Sequence, residues 1–224
     1  MMELRYTLLA DGSSDRALIP ILTWLLRTHL LNCAIQSQWA DLGRLDKSRR
    51  DTFEKRIRLS LELYPCDLLF IHRDAEKATH ETRINQIRAA VAQVSSSVLV
   101  PIVCVVPVRM TEAWLLFDIS ALRKAASNPN GATPLQLPDI KSLEHQPDPK
   151  IVLRDILRQA SGLSARRLKR FSESDCTHRV AQLINDFAPL RSLPAFNALE
   201  SELEDAIVKQ GWEFFKAANS TLVL

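Results

Sequence analysis

The stretch LLFIHRDAE at residues 68–76 sets the pattern from which the fold can be predicted. Its first four residues form an apolar run that is too short for a helix, and Pro65 ends the helical pattern before it. Such a run is typical of a strand that is buried on both faces of a sheet. Asp74 and Glu76 follow the run, and apolar residues at helical spacing occupy positions 84–94. The stretch therefore predicts a strand, an acidic loop and a helix, in that order.

The same order occurs at the N-terminus. Residues 5–10 are largely apolar, the loop DGSSD follows at residues 11–15, and residues 17–30 carry apolar side chains at helical spacing. Between this unit and the second one, residues 46–64 have the pattern of an amphipathic helix. The first 76 residues thus predict two strands that are each closed by an acidic loop.

A third unit begins in residues 98–108, which are rich in Val and Ile and predict a strand. Thr111 can cap a helix that continues past Asp118, with Glu112 in its first turn. Three strands that alternate with helices predict an α/β fold, with a Rossmann-like parallel sheet flanked by helices. In such folds, ligands bind at the carboxyl ends of the strands.

The remaining sequence predicts a mainly helical extension. Residues 127–150 are rich in Asn, Pro, Gly and Asp, a composition typical of a loop or insertion. We therefore expect an α/β domain over residues 1–126 and a helical C-terminal region over residues 151–224 that packs on it. The predicted helices of that region lie at residues 151–160, 177–187 and 198–208.

The composition is that of a globular protein, since 46% of the 224 residues are hydrophobic and 25% are charged. The net charge of +3 is compatible with nucleic-acid binding but is smaller than the basic excess of a strong nucleic-acid binder. Charged residues interrupt the first apolar stretch, so we expect neither a signal peptide nor a membrane span. The four cysteines are too scattered for a zinc site and indicate reduced thiols in the cytoplasm.

Acidic residues follow each predicted strand. Asp11 and Asp15 follow the first strand, Asp74 and Glu76 the second, and Glu112 the third. Neighbouring strands lie about 5 Å apart, so these side chains can converge at one edge of the sheet. Crowded carboxylates repel each other unless a cation neutralises them, and oxygen ligands favour Mg²⁺ or Mn²⁺. The sequence therefore predicts a divalent metal site.

Three runs of sequence resemble the TOPRIM superfamily of topoisomerases, primases and overcoming-lysogenisation-defect nucleases. LLADGSSD at residues 8–15 resembles the first TOPRIM motif, an apolar strand closed by an acidic residue, Gly and a downstream Asp. LLFIHRDAE at residues 68–76 resembles the second motif, an apolar strand followed by two acids one residue apart. PVRMTEAWLLFD at residues 107–118 is similar to a signature of small stand-alone TOPRIM-like proteins, some of them associated with bacterial defence ATPases.

The resemblance implies roles for individual acidic residues. It gives Asp11 the role of general acid/base or metal ligand, makes Asp74 and Glu76 metal ligands, and makes Asp15 a secondary ligand. Two positions depart from the family pattern. Asp11 stands where most TOPRIM enzymes have Glu, and Glu76 stands where a second Asp is usual. Substitutions of this kind are compatible with metal binding but favour weakened or absent catalysis.

Three functions follow as hypotheses. The first is a Mg²⁺- or Mn²⁺-dependent nuclease, with DNA favoured over RNA, in which Asp11 or Glu112 transfers the proton. The second is a catalytically degenerate TOPRIM-like module that binds a partner ATPase, and the departures at Asp11 and Glu76 favour it. The third is a small-molecule phosphotransferase with Asp11 or Asp74 as its nucleophile. A homodimer is compatible with each of them.

Basic residues supply candidate contacts to nucleic acid. Arg73 lies beside the acidic residues, where it can contact a phosphate or neutralise the acids in place of a metal. A second group of candidates lies in the C-terminal region, at Arg166, Arg167, Lys169 and Arg170. The alternative for this group is that its residues lie on an ordinary solvated helix face. For Asp11 and Asp15, the alternative is that they cap and stabilise a helix N-terminus.

Overall fold

The computed structural model describes residues 2–94 and 99–212. Within these ranges four strands and eight α-helices form the fold. The strands are β1 Met2–Leu9, β2 Cys33–Trp39, β3 Leu68–His72 and β4 Ile102–Val105. The helices are α1 Leu18–His29, α2 Phe53–Leu63, α3 His80–Gln93, α4 Ile119–Ala125, α5 Pro149–Ser161, α6 Ala165–Leu168, α7 Glu173–Leu183 and α8 Pro194–Lys209. None of the helices in these ranges has the length and apolar character that a membrane span requires.

The four strands form one parallel sheet in the order β2-β1-β3-β4. This architecture confirms the predicted α/β class, including the helical C-terminal region. One strand, β2, was not predicted, because its sequence CAIQSQW lacks a continuous apolar run. It is an edge strand with partly exposed side chains, and edge strands carry a weaker apolar signal than central ones. The sheet register pairs Leu9 with Ile71 and His72 with Val105, so the carboxyl ends of β1, β3 and β4 are adjacent.

The two faces of the sheet bury different side chains. Leu8, Phe70 and Val105 pack into a core with α1 and the C-terminal helices. Leu9 and Ile71 point to the opposite face and pack with apolar residues of α2 and α3. This alternation is the period of two residues that a strand imposes on its side chains. It decides to which face each residue of a strand is directed.

The C-terminal helices share a core with the sheet. Trp114 and Phe196 are fully buried and meet edge to face, with 5.4 Å between their ring centroids. Helix α8 also covers the edge strand β4, since Glu202 Oε2 accepts a hydrogen bond of 3.0 Å from the Cys104 backbone N–H. An edge strand covered in this way cannot pair with another chain through that N–H.

Several predicted element boundaries differ from the structure. The continuous helix predicted from Thr111 past Asp118 is wrong: residues Thr111–Leu115 form a 3-10 helix, and Asp118 caps α4 through the Ala121 N–H. Helix α2 begins at residue 53 rather than 46. The predicted third strand is shorter than expected, and Val98 lies outside the described residues.

Candidate metal centre

Three side chains converge at the carboxyl edge of the sheet. Asp15, His72 and Asp74 each offer one ligand atom, and these atoms lie within 4.8 Å of one another. His72 Nε2 is 3.7 Å from Asp15 Oδ2 and 3.5 Å from Asp74 Oδ1. The three residues line a cavity of about 140 Å³. We call this group the metal cluster.

Each member of the metal cluster is positioned by a different element. His72 is the last residue of β3 and points to the same face as Phe70, because the two are separated by one strand period. Asp15 lies in a 3-10 turn after β1, where Oδ2 accepts a hydrogen bond of 2.9 Å from the Gly12 N–H. Asp74 Oδ1 accepts one of 3.0 Å from the Thr111 N–H. Hydrogen bonds from two backbone turns thus fix both carboxylates beside the imidazole.

The hydrogen bonding of His72 determines which ring nitrogen is free. Nδ1 is 2.9 Å from the carbonyl oxygen of Val105, and this oxygen can only accept, so Nδ1 carries the hydrogen. His72 is 1% exposed, and burial lowers its pKa, which favours the neutral ring. The lone pair of Nε2 therefore faces the carboxylates of Asp15 and Asp74. Lone pairs directed at one another are stable only when a proton or a cation lies between them.

In the absence of a cation, a proton on Asp74 reduces the negative charge beside His72. Burial, followed by the charges of Asp15 and Glu112, raises the pKa of Asp74 to about 8. A divalent cation would displace the proton, because metal binding requires the deprotonated carboxylate. Two carboxylates and a histidine whose Nδ1–H binds a backbone carbonyl form a chemically suitable donor set. The imidazole nitrogen shifts the preference of this set from Mg²⁺ towards Mn²⁺ and other transition metals.

Asp11 lies in the same cavity but outside the metal cluster. Its carboxylate accepts a hydrogen bond from Arg56 of α2, and Arg73 Nε lies 3.5 Å away on its other oxygen. The Arg73 guanidinium also covers the ring of Phe53, at 5.0 Å from the centroid. Asp11 lies two residues beyond the end of β1, and its contact with Arg56 turns its carboxylate towards α2. Two guanidinium groups therefore balance its charge without a metal.

Glu76 also lies outside the metal cluster. Its carboxylate is exposed and is 3.8 Å from Arg83 Nη2. The backbone of Glu76 has a φ of 53°, that of Arg109 a φ of 68°, and the Glu76 N–H donates to the Arg109 carbonyl at 3.0 Å. Left-handed backbone conformations are uncommon for non-glycine residues. The hydrogen bond between Glu76 and Arg109 joins the loop after β3 to the loop after β4.

Glu112 is placed between the metal cluster and a second, larger cavity. It directly follows Thr111, whose N–H binds Asp74, and it lines a cavity of about 310 Å³. Glu112 is 8% exposed, and burial raises the pKa of its carboxyl. A buried carboxyl with a raised pKa is suited to act as a general acid.

The two groups of predicted nucleic-acid contacts have different surroundings. Arg73 lies at the metal cavity, next to Asp11. The residues of the second group are exposed on α6 and just after it, and none of them lines the metal cavity or the cavity of about 310 Å³. This group consists of Arg166, Arg167, Lys169 and Arg170.

The sequence predicts neither His72 as a metal ligand nor Arg56 as a partner of Asp11; for His72 it favours an ordinary histidine that could at most contact a phosphate. His72 could have been recognised, because it ends an apolar strand and precedes Asp74 by two residues, so both point to one side. Arg56 has no comparable signal. Its contact with Asp11 spans 45 residues and depends on how α2 packs against the sheet.

No protein-family model matches this chain, and no curated protein or solved structure matches it either. Its function must therefore be inferred from the side chains that the fold brings together. The TOPRIM resemblance of the first half remains a prediction from the sequence. The metal cluster, the cavity beside it and the surrounding charges are the observations that bear on chemistry.

We expect Mn²⁺ to raise the melting temperature of the protein. At a concentration about 100 times its dissociation constant, the ion should stabilise the fold by about 2.7 kcal/mol, or roughly 5–10 °C. Asp15→Asn and Asp74→Asn should each remove most of this shift, because a neutral amide is a poor ligand for the ion. Asp11→Asn is the matched control and should retain it. Thermal unfolding with and without Mn²⁺ measures the effect, and an equal loss in the Asp11 variant would contradict the assigned ligand set.

The pKa of Asp74 predicts a pH-dependent stability of the metal-free protein. The folded state keeps the Asp74 proton up to about pH 8, whereas the unfolded chain loses it near the ordinary aspartate pKa of 3.8. Because the folded state binds more protons between these values, this contribution to stability falls as pH rises from about 4 to 8. Asp74→Asn should remove this dependence. In urea unfolding, the free energy of unfolding of the variant should therefore rise relative to that of the wild type, by on the order of a few kcal/mol between about pH 4 and 8. A constant difference between the two proteins would contradict the prediction.

Proposed function

We propose that the protein is a divalent-metal-dependent hydrolase of phosphodiester bonds in nucleic acid, with Asp15, His72 and Asp74 holding the ion. The observation that carries this proposal is the buried imidazole of His72, whose free Nε2 faces two carboxylates. The TOPRIM resemblance supports the same chemistry, although the ligand set differs from the one it implies. We propose Mn²⁺ ahead of Mg²⁺, because one ligand is a nitrogen.

A cation bound there would polarise a phosphoryl oxygen and neutralise charge that develops during cleavage. The chain itself supplies the proton transfer. We assign this role to Glu112 rather than Asp11, because Glu112 is buried beside the metal cluster whereas Asp11 is bound by two arginines. In the reaction, the oxygen of a water molecule forms a bond to phosphorus while the bond to the leaving oxygen breaks. The leaving oxygen takes the proton of Glu112, which is restored from the attacking water.

Basic side chains on both sides of the metal cavity are suited to a phosphate backbone. On one side, a cavity that also contains Asp11 is lined by Arg50 and Arg56. On the other side, a cavity that shares Arg83 with the metal cavity is lined by Lys77 and Arg109. Each of these two cavities shares lining residues with the metal cavity, and we call the three together the groove. Cations spaced along a groove bind nucleic acid through its phosphates and independently of sequence.

The substrate and location follow from the same proposal. We favour DNA over RNA as the substrate. We place the protein in the cytoplasm, a location with which four free cysteines are compatible. A role in bacterial defence or DNA processing is the context that the resemblance suggests.

A second candidate function is a module without catalytic activity that binds a partner ATPase. The contacts of Asp11 favour it, because Arg56 and Arg73 occupy the carboxylate that catalysis in the TOPRIM family would use. This candidate predicts no cleavage of any nucleic acid by the folded protein. The cleavage assay below therefore separates the two functions.

We expect the protein to cleave DNA in the presence of Mn²⁺ and to lose this activity in EDTA. Asp74→Asn should reduce cleavage to background, and Glu112→Gln should slow it by about 10²–10⁴-fold, because the amide cannot transfer the proton. Asp205→Asn, an equivalent change on the exposed side of α8, is the control and should retain full activity. Cleavage of a labelled oligonucleotide measures all four proteins. Activity of the Asp74 variant equal to the wild type would exclude the assigned centre.

The groove residues make a separate prediction about binding. Replacing Lys77 and Arg109 by Ala should weaken DNA binding and reduce the slope of log affinity against log salt by roughly 0.9 for each phosphate that the protein no longer neutralises. Replacing Arg166 and Arg167 removes the same charge from α6 and tests the sequence-based candidates. Fluorescence anisotropy over a range of salt concentrations compares the DNA affinities of the two double variants. A larger effect from the α6 pair would move the nucleic-acid path away from the groove.

A further inference from the structure

The cavity of about 310 Å³ beside the metal cluster has walls from four parts of the chain. Ser13 and Ser14 come from the turn after β1, and Glu112 comes from the turn that follows β4. Lys150 comes from the first turn of α5, and Thr177 comes from the N-terminal half of α7. The C-terminal helical region therefore contributes directly to this cavity.

The cavity and the metal cluster are built from the same two turns. Ser14 immediately precedes Asp15, and its hydroxyl lies 3.3 Å from Asp15 Oδ1. Glu112 immediately follows Thr111, which binds Asp74 through its backbone N–H. A molecule in the cavity would therefore lie next to a phosphate held at the metal cluster.

The charged groups of the cavity are not all available to a ligand. Asp148 caps α5 by accepting from the Ile151 N–H at 3.0 Å, and Glu173 pairs with Arg158 at 2.7 Å. In contrast, Lys150 makes no hydrogen bond or ion pair with any residue in the described ranges 2–94 and 99–212. Its ammonium group is the free cation of the cavity within these ranges.

Glu112 is the free acidic group of the cavity. It is nine-tenths buried, and within the described part of the chain its carboxyl is hydrogen-bonded to its own backbone N–H alone. Lys150 lies close enough to Glu112 for the two charges to interact. The cavity thus presents a cation and a buried carboxyl, with Met110 and Ile151 as an apolar wall.

The size and chemistry of the cavity fit one nucleotide. Its volume is at the lower end of the range for ligand pockets. A double helix, whose major groove alone is about 12 Å wide, cannot enter it. The apolar wall suits the face of a base, the hydroxyls suit a sugar, and Lys150 with its neighbour Arg154 suits a phosphate.

We propose that this cavity binds the unpaired terminal nucleotide of a strand whose end carries a phosphate, so that the protein releases mononucleotides from strand ends. The inference rests on the proposed function, because the metal cluster must hold the next phosphate along the strand. Lys150 and Arg154 contact the terminal phosphate, and Glu112 lies between this nucleotide and the bond that is cleaved. The protein therefore recognises the end of a strand by binding two phosphates, one at the metal cluster and one at Lys150.

The first experiment measures binding without catalysis. A nucleoside 5′-monophosphate and inorganic phosphate are titrated separately into the metal-free protein, with calorimetry as the readout. The mononucleotide should bind more tightly than phosphate, and the double variant Lys150→Ala, Arg154→Ala should lose at least about tenfold in affinity. Both residues are exposed, so the double variant should fold. Arg166→Ala with Arg167→Ala is the charge-matched control and should bind like the wild type.

The second experiment compares single-stranded DNA with 5′-phosphate, 3′-phosphate or hydroxyl ends, and closed single-stranded circles. Release of mononucleotides from one phosphorylated end, with intact circles, is the expected result and identifies which end is bound. Circles cut as fast as linear strands would overturn the inference while leaving the hydrolase proposal intact. Equal binding of mononucleotide and phosphate, or unchanged binding in the double variant, would also overturn it. Mononucleotide binding by both the wild type and Asp74→Asn, with no cleavage of any substrate, would support the cavity and overturn the hydrolase.

Discussion

The burial of the His72 imidazole between two carboxylates is the constraint on which the site depends. The carbonyl of Val105, on the neighbouring strand, orients the ring and leaves Nε2 with a lone pair. A buried lone pair that faces carboxylate oxygens favours a positive charge or a proton between them, and burial together with the charges of Asp15 and Glu112 raises the pKa of Asp74, which keeps a proton at this edge in the metal-free protein. The sheet thereby holds a site whose electrostatics are satisfied by a cation, at the edge where parallel sheets bind ligands.

The sheet separates two kinds of charge at this edge. On the α1 face, Asp15 and Asp74 adjoin a neutral histidine, and the proton on Asp74 relieves the repulsion between the two carboxyl groups. On the α2 face, Asp11 is balanced by Arg56 and Arg73, and the latter stacks on an aromatic ring. The same strand ends therefore supply a centre that can bind a cation and a rim that can bind phosphate. This division of charge is the arrangement that the proposed phosphodiester hydrolysis would use, because a cation and the phosphates of the substrate would be held side by side.

The C-terminal helices are part of this arrangement and not only a cover for the sheet. They share the core of the α1 face, where Trp114 packs against Phe196, and α8 protects the edge of β4 through Glu202. Helices α5 and α7 place their first turns beside the turns that carry Asp15 and Glu112. The cavity between them exists because the helical region packs against the face to which His72 points.

The sequence by itself determined the α/β class and the helical C-terminal region, because apolar periodicity is a local property of the chain. It also placed Asp11, Asp15, Asp74, Glu76 and Glu112 in the loops that follow strands. Only the tertiary structure decided which of these residues meet. Asp11 turns to Arg56 of α2 and His72 is oriented by Val105 of β4, and both partners lie more than 30 residues away in sequence. Contacts of that range depend on the packing of whole elements, which local periodicity does not encode.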